Sequence, residues 1–273
     1  MIKFIGTDLD GTLLNSYSKI STQNAQAIRN AVNSGIVFAI CSGRTLHSVN
    51  KFFEKDLKVP GYRVVLNGAV VVDSKGKKVV DQPLDRDVIA EILKRAQFSK
   101  FKIVLDGLND TYIYDPNRHW NTYFEGMGRH HFKEQSVNDL MKLNDQTDID
   151  IYKVCFSCPP KRLHELQKKL ESFTALPITI SRSGSTYFEI NGQDVTKLSA
   201  LQHISEHETI PMNEFMCFGD YGNDLEMVKE AGYGVAMANA IDKVKEVAWK
   251  ITDNNNQNGV ATMITRVLNK EFD

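Results

Sequence analysis

Asp8 and Asp10 stand one residue apart at the end of a largely apolar run, and a second acidic pair, Asp220 and Asp224, follows another. Acids are poor strand residues and costly to bury unless paired, so each placement asks for a chemical reason. Other reactive groups close apolar runs in the same way: Ser42-Gly43-Arg44 after residues 36–41, and Asn67-Gly68 after a run of valines and a leucine. In an open parallel sheet, the carboxyl ends of the strands share one rim, and ligands bind there. Four carboxylates on one rim repel strongly unless a cation joins them. Oxygen donors with few histidines suit Mg2+, which keeps waters for a phosphate. Lys197, Arg44, Ser42 and exposed backbone N–H groups complete a phosphate cradle. A carboxylate beside that cradle can attack phosphorus and form an aspartyl phosphate. Asp10, two residues further along an extended chain, faces the same side. It is placed to protonate the leaving oxygen and then to activate water.

The elements that position these groups can be read from periodicity. Residues 2–7 and 36–41 read as strands, the second nearly continuous in apolar residues, as expected for a parallel sheet covered on both faces. Ser21 or Thr22 caps a helix with Ala25, Ile28 and Val32 on one face, stopped near Gly35. A second helix opens at Ser42-Gly43-Arg44-Thr45 and runs to about Leu57. Residues 64–68 form the third strand, and 70–80 a hairpin turning at Ser74-Lys75-Gly76-Lys77. This alternation points to right-handed βαβ units. After Pro83 the texture changes: helices over 85–97 and 160–172, strands over 102–106, 111–115, 149–158, 178–182 and 186–190. From about Asp194 the first texture resumes, with helices over 195–207, 223–231 and 240–248, a last helix at the end, and strands over 215–219, 233–237 and 249–252. The fold class expected is α/β. A Rossmann-like, doubly wound parallel sheet takes residues 1–82 and 189–273, and an inserted α+β cap takes 83–188.

Taken in order, the motifs resemble those of a haloacid dehalogenase (HAD) superfamily phosphatase, of the Cof-type subfamily IIB, whose C2B α/β cap is inserted between the second and third motifs. Residues Asp8-Leu9-Asp10-Gly11-Thr12-Leu13-Leu14 match the first motif, Ser42-Gly43-Arg44 the second, Lys197 the third and Gly219-Asp220-Tyr221-Gly222-Asn223-Asp224 the fourth. Asn67-Gly68-Ala69, residues 234–240 and Asn258-Gly259-Val260-Ala261 match subgroup signatures. The resemblance implies that Asp8 is nucleophile and metal ligand. Asp10 would be general acid/base, its backbone carbonyl also meeting Mg2+, and Asp220 the third protein ligand. Asn223 and Asp224 would hold metal waters or orient neighbours. Ser42 and Lys197 would bind phosphoryl oxygens, Lys197 also balancing Asp8. Leu9, Gly11, Thr12, Gly43, Arg44 and Asn67 would complete the phosphate and substrate contacts. Three positions depart from the pattern: Leu198 where glycine is usual, Asn258 where aspartate is common, and Tyr221 in a variable slot. None removes a catalytic group.

Each feature also has a structural reading. Asp8 could begin a turn and Asp10 cap one, but that leaves Asp220 and Asp224 unexplained. Ser42 could simply be an N-cap, a role compatible with phosphate binding. Lys197 by itself would be a surface lysine. The turn carrying Arg182, Ser183, Gly184 and Tyr187 is a candidate for substrate selection or an ordinary hairpin. Tyr112, Tyr114, Phe124 and Phe156 are expected to pack in the cap sheet. Cys41 and Cys217 close apolar runs and are expected to pack as small hydrophobes. Cys155 and Cys158 lack the second close pair of a zinc site. His203 and His207, four apart on a helix, lack a third ligand and read as solvated.

With 273 residues, a core plus an inserted module is a fair division. The net charge of −1 supplies no basic field for nucleic acid. No apolar run is long enough to span a membrane, and acids arrive too early for a signal peptide, so the expected location is the cytoplasm and the expected state a monomer or weak homodimer. The function expected is Mg2+-dependent hydrolysis of a small phosphate ester, a sugar phosphate first among them. The alternatives are a phosphomutase or phosphotransferase of the same superfamily, a non-hydrolytic phospho-switch, and a sugar-phosphate sensor.

Overall fold

The structure, a computed structural model, describes residues 1–97, 100–116, 131–134 and 136–272. Phe124 lies outside them. The first part of the chain runs β1 (Phe4–Thr7), α1 (Thr22–Asn33), β2 (Val37–Cys41), α2 (Leu46–Phe52), β3 (Tyr62–Val65), β4 (Val70–Val72) and β5 (Lys78–Asp81). It continues with α3 (Arg86–Ala96), β6 (Lys102–Gly107), β7 (Thr111–Tyr114), β8 (His131–Glu134), α4 (Val137–Asn144), β9 (Ile151–Ser157), α5 (Leu163–Glu171), β10 (Ile178–Arg182) and β11 (Tyr187–Gly192). The last part is α6 (Lys197–Glu208), β12 (Phe215–Gly219), α7 (Leu225–Glu230), β13 (Tyr233–Ala236), α8 (Asp242–Val247), β14 (Lys250–Ile251) and α9 (Gly259–Leu268).

The strands form two sheets. One has the order β14-β13-β12-β1-β2-β3-β4-β5, parallel from β14 to β3 and antiparallel beyond. The other has the order β10-β11-β9-β6-β7-β8 and is antiparallel except where β7 meets β8. The protein is thus α/β, with a parallel core sheet and an antiparallel cap sheet. The chain leaves the first sheet after β5 and returns to it after β11, so the expected junction at 188/189 falls inside β11.

Every residue of β1 is buried. Helices on both faces of the parallel sheet explain why its strands read as unbroken apolar runs rather than alternating ones. The cap sheet has two buried faces of different character. Ile103, Leu105, Val154, Phe156, Phe188 and Ile190 point into an apolar core with α3, α4 and α5. Between them Val104, Ile113 and Cys155 pack with Tyr187 on the opposite face. Cys155 and Cys158 consequently belong to different clusters and do not form a dithiol site. Tyr112 stacks on Phe132, and Phe156 leans on Phe173. The described residues differ from the sequence expectation in three places. The second helix is α-helical only to Phe52 and widens into a π turn over Phe53–Leu57, with Lys58 left-handed at φ 56°. Strand β8 and helix α4 were not expected. β8 carries no alternation of its own, and α4 is capped by Ser136, which accepts from the Asp139 N–H.

Candidate active site

From β1 and β12, which are neighbours, the chain winds outward in opposite directions, so the switch point of the sheet lies between them. Asp8 follows β1 and Asp220 follows β12. Backbone pairing runs past the end of β1, the Asp8 N–H donating to the Phe218 carbonyl at 3.0 Å. Asp8, Asp220 and Asp224 are all buried, and one carboxylate oxygen from each lies within 4.8 Å of the others. Lys197, 1% exposed, donates to Asp8 Oδ1 and to Asp224 Oδ1, both at 2.6 Å. It is the first residue of α6, which begins with a capping box between Thr196 and Ser199. A cation at a helix N-terminus opposes the helix dipole, and the two carboxylates offset that cost. Asp224 Oδ2 accepts the backbone N–H groups of Asp220 and Tyr221 at 3.0 and 3.1 Å. The Thr12 hydroxyl donates to Asp220 Oδ1 at 2.8 Å. Gly11 has φ +87°, and a Cβ there would lie 2.4 Å from Asp220 Oδ2, so only glycine lets the turn after β1 pass so close to the acid.

Burial pushes the Asp8 carboxyl well up, with Asp224, Asp220 and Asp10 adding to the rise and Lys197 opposing it. Burial and then Asp224 push Asp220 up to about 7. Burial alone would lower Lys197, but Asp224 and Asp8 outweigh it and hold the ammonium charged. The acids are crowded beyond what one lysine balances. Their donors are carboxylate oxygens, with no histidine or thiolate among them. That set fits a hard divalent cation, which would remove the repulsion.

A cavity of about 260 Å³ opens on this cluster, lined on the parallel-sheet side by Asp8, Asp10, Ser42, Gly43 and Arg44 with the loop Asp220, Tyr221, Asn223 and Asp224. Arg44 grips Asp10 with both forks, Nε to Oδ2 at 2.8 Å and Nη2 to Oδ1 at 2.6 Å. The Ser42 hydroxyl accepts the Arg44 N–H at 3.2 Å. Leu9, Gly11, Thr12, Asn67 and Lys197 do not line the cavity. Thr12 and Lys197 stand behind the carboxylates, and Asn67 binds Glu189, Asn191 and Asn223 instead. From the cap turn, Ser183, Gly184 and Tyr187 line the cavity. Arg182 does not: its guanidinium closes its own turn on the carbonyls of Gly184 and Ser185.

Sequence reading missed Asp106, Lys153, Cys155 and Glu189, which line the cavity from β6, β9 and β11. A signal existed. Each charged residue interrupts an apolar strand run, the same anomaly that singles out Asp8.

The family pattern described as haloacid dehalogenase-like hydrolase matches residues 5–264. The chain belongs to that family. Over 267 residues it is 33% identical to the 5-amino-6-(5-phospho-D-ribitylamino)uracil phosphatase YcsE of Bacillus subtilis, covering 96% of this chain and 94% of the relative. Over 293 residues it is 30% identical to YwtE of the same organism, also a 5-amino-6-(5-phospho-D-ribitylamino)uracil phosphatase, covering 99% of this chain and 100% of the relative. A solved haloacid dehalogenase-like hydrolase from B. subtilis superposes with a TM-score of 0.86 at 26% identity, over 97% of this chain and all of the other. This HAD protein is a Cof-type phosphatase, a phosphoric monoester hydrolase. Among the described residues no helix is long and apolar enough to cross a membrane.

Proposed function

We propose that the cavity hydrolyses small phosphate monoesters through an aspartyl phosphate on Asp8, with Asp10 as general acid and base. The observation that carries this reading is the buried cluster of Asp8, Asp220 and Asp224, bridged by Lys197 and opening into the cavity at the switch point. Asp8, the Asp10 carbonyl and Asp220 would hold Mg2+, with Asn223 and Asp224 beside it. When bound, the ion neutralises charge on the phosphoryl oxygens and on Asp8.

Lys197 holds Asp8 Oδ1, which leaves the other oxygen of that carboxylate to attack phosphorus while the bond to the leaving oxygen breaks. Asp10 gives its proton to that oxygen. In the second half, Asp10 takes a proton from water as the water oxygen bonds to phosphorus. The bond to Asp8 breaks and phosphate departs. Arg44 must release at least one oxygen of Asp10 before either transfer, and a phosphate dianion beside Ser42 and Gly43 competes for the guanidinium. Lys197 stands behind the nucleophile, so its position supports charge balance more than contact with the phosphoryl group.

We assign substrate choice to the cap, residues 83–188 continued through β11, whose Ser183, Gly184 and Tyr187 reach the cavity. The hydroxyl groups of Ser183, Ser185 and Tyr187 on that wall suit a hydroxylated leaving group. The two relatives are named for a phosphorylated ribityl compound, which is of that kind. The test is phosphate release from a panel of sugar, polyol and nucleotide monophosphates, with Mg2+ and with a chelator. Release should need the metal, and Asp8→Asn should lose it while retaining the native circular dichroism spectrum. Full turnover by Asp8→Asn would sink the mechanism.

A further inference from the structure

The cap sheet carries buried charges that the reaction above does not use. Asp106 and Lys153 are register partners on β6 and β9, and Glu189 is the partner of Cys155, two residues along the same face. The Lys153 ammonium, 3% exposed, lies 2.7 Å from Glu189 Oε1 and 3.3 Å from Asp106 Oδ2. It also donates to the carbonyl of Gly43. Glu189 Oε2 accepts from Asn67 Nδ2 at 2.9 Å, and Asn67 Oδ1 accepts from Asn223 Nδ2 at 3.3 Å. Asn191 accepts from Asn67 Nδ2 at 3.1 Å and donates to the Leu66 carbonyl at 2.9 Å.

The turn that receives these bonds is strained. Leu66, Asn67 and Gly68 have φ of 54°, 60° and 101°, left-handed values that a leucine adopts only where its surroundings over-determine them. The same turn donates backbone N–H groups to the carbonyls of Arg44 and Ser42, both at 3.0 Å. A continuous set of bonds therefore runs from the cap sheet to the turn at residues 42–44 and to Asn223, beside the acids of the fourth motif.

We propose that Lys153 and Glu189 are positioning residues: paired where the two sheets meet, they hold the Ser42-Gly43-Arg44 turn and, through Asn67 and Asn223, the loop at residues 220–224 in register with Asp8, whichever ester is bound. The inference rests on the phosphatase reading and adds a role for cap residues beyond substrate choice. The pairing favours the charged forms: burial works to raise Glu189, yet Lys153 holds its carboxyl below the usual range. The ammonium has two acids and a carbonyl to accept its protons, so the buried charge is satisfied.

The competing role is recognition of the leaving group, and kinetics separate the two. Lys153→Met is assayed on p-nitrophenyl phosphate, a hexose 6-phosphate and flavin mononucleotide. A positioning role lowers kcat on all three by one common factor, between about ten- and a hundredfold, with KM nearly unchanged, and Lys153→Arg recovers part of the loss. A rise in KM confined to one ester, or unchanged kcat in the folded variant, overturns the proposal. If Lys153→Met does not fold, Glu189→Gln decides, because it keeps an acceptor for Asn67 and removes only the charge facing Lys153. A uniform fall in kcat supports the proposal, and full activity makes the pair a stability element and overturns it. A parent enzyme that releases no phosphate from any of the three counts against the phosphatase reading instead.

Discussion

Among the described residues, Lys197 is the one cation paired with both Asp8 and Asp224, and all three are buried. Removing one partner of a buried ion pair strands the other. Lys197→Met should lose about 3–5 kcal/mol in urea unfolding at pH 7.5 without metal, and Mg2+ should restore part of it; equal stability with and without the lysine would disprove the charge-balancing role. The same crowding sets a pH dependence. In chelated protein the folded state raises Asp220 to about 7 from an ordinary 3.8, so it binds that proton more tightly than the unfolded chain does. Its contribution to stability is complete below about pH 4 and is lost as pH rises through 7. The urea midpoint of chelated protein should therefore fall between pH 5 and pH 8. Saturating Mg2+ should flatten or reverse the trend, because the metal needs the carboxylates deprotonated. A midpoint that climbs over that interval without metal would contradict this account. The identities of these residues were legible in the sequence. The buried position of Lys197, behind the acids and off the cavity wall, was not, since a lysine at a helix start is ordinarily exposed.

At the scale of elements, the site depends on how the turn after β3 meets the start of α6. A Cβ on Gly68 would lie 2.2 Å from the Thr196 carbonyl oxygen, and its φ is +101°. Gly68→Ala should cost about 1–3 kcal/mol and lower kcat as well, because Thr196 caps the helix whose first residue is Lys197. Urea midpoints and phosphate release measured together test this; loss of stability with kcat intact would show that the turn relaxes without moving α6. Most elements were readable because their signals are local: Ser21 caps α1 by accepting from Asn24, and Asp85 caps α3. β8 was not readable, because only its pairing with β7 makes His131–Glu134 a strand. The π turn after α2 was not readable either, since its pattern continues that of the helix.

At the scale of the whole molecule, residues from both sheets line the same cavity, and under the proposed function the reacting groups come from the parallel sheet and ester selection from the cap turn. Tyr187, on the cap wall, touches no reacting group. Tyr187→Ala should lower kcat/KM for bulky esters on the order of tenfold while acetyl phosphate turnover stays near that of the parent, and a uniform loss on all substrates would give Tyr187 a positioning role like that of Lys153 and Glu189 instead. The sequence by itself determined the family and the fold class, because the motif residues that mark the family close apolar runs, and those runs alternate with helical periods, signals that can be read one run at a time. Only the tertiary structure decided which side chains meet the cavity. Asn67 turned out to be a link between loops, and Lys153, Glu189 and Asp106 were found to face the site. The physical reason is that a strand sends successive side chains to opposite faces. Which face becomes the cavity wall is set by packing against elements far away in the chain, as when Glu189 on β11 meets Asn67 after β3.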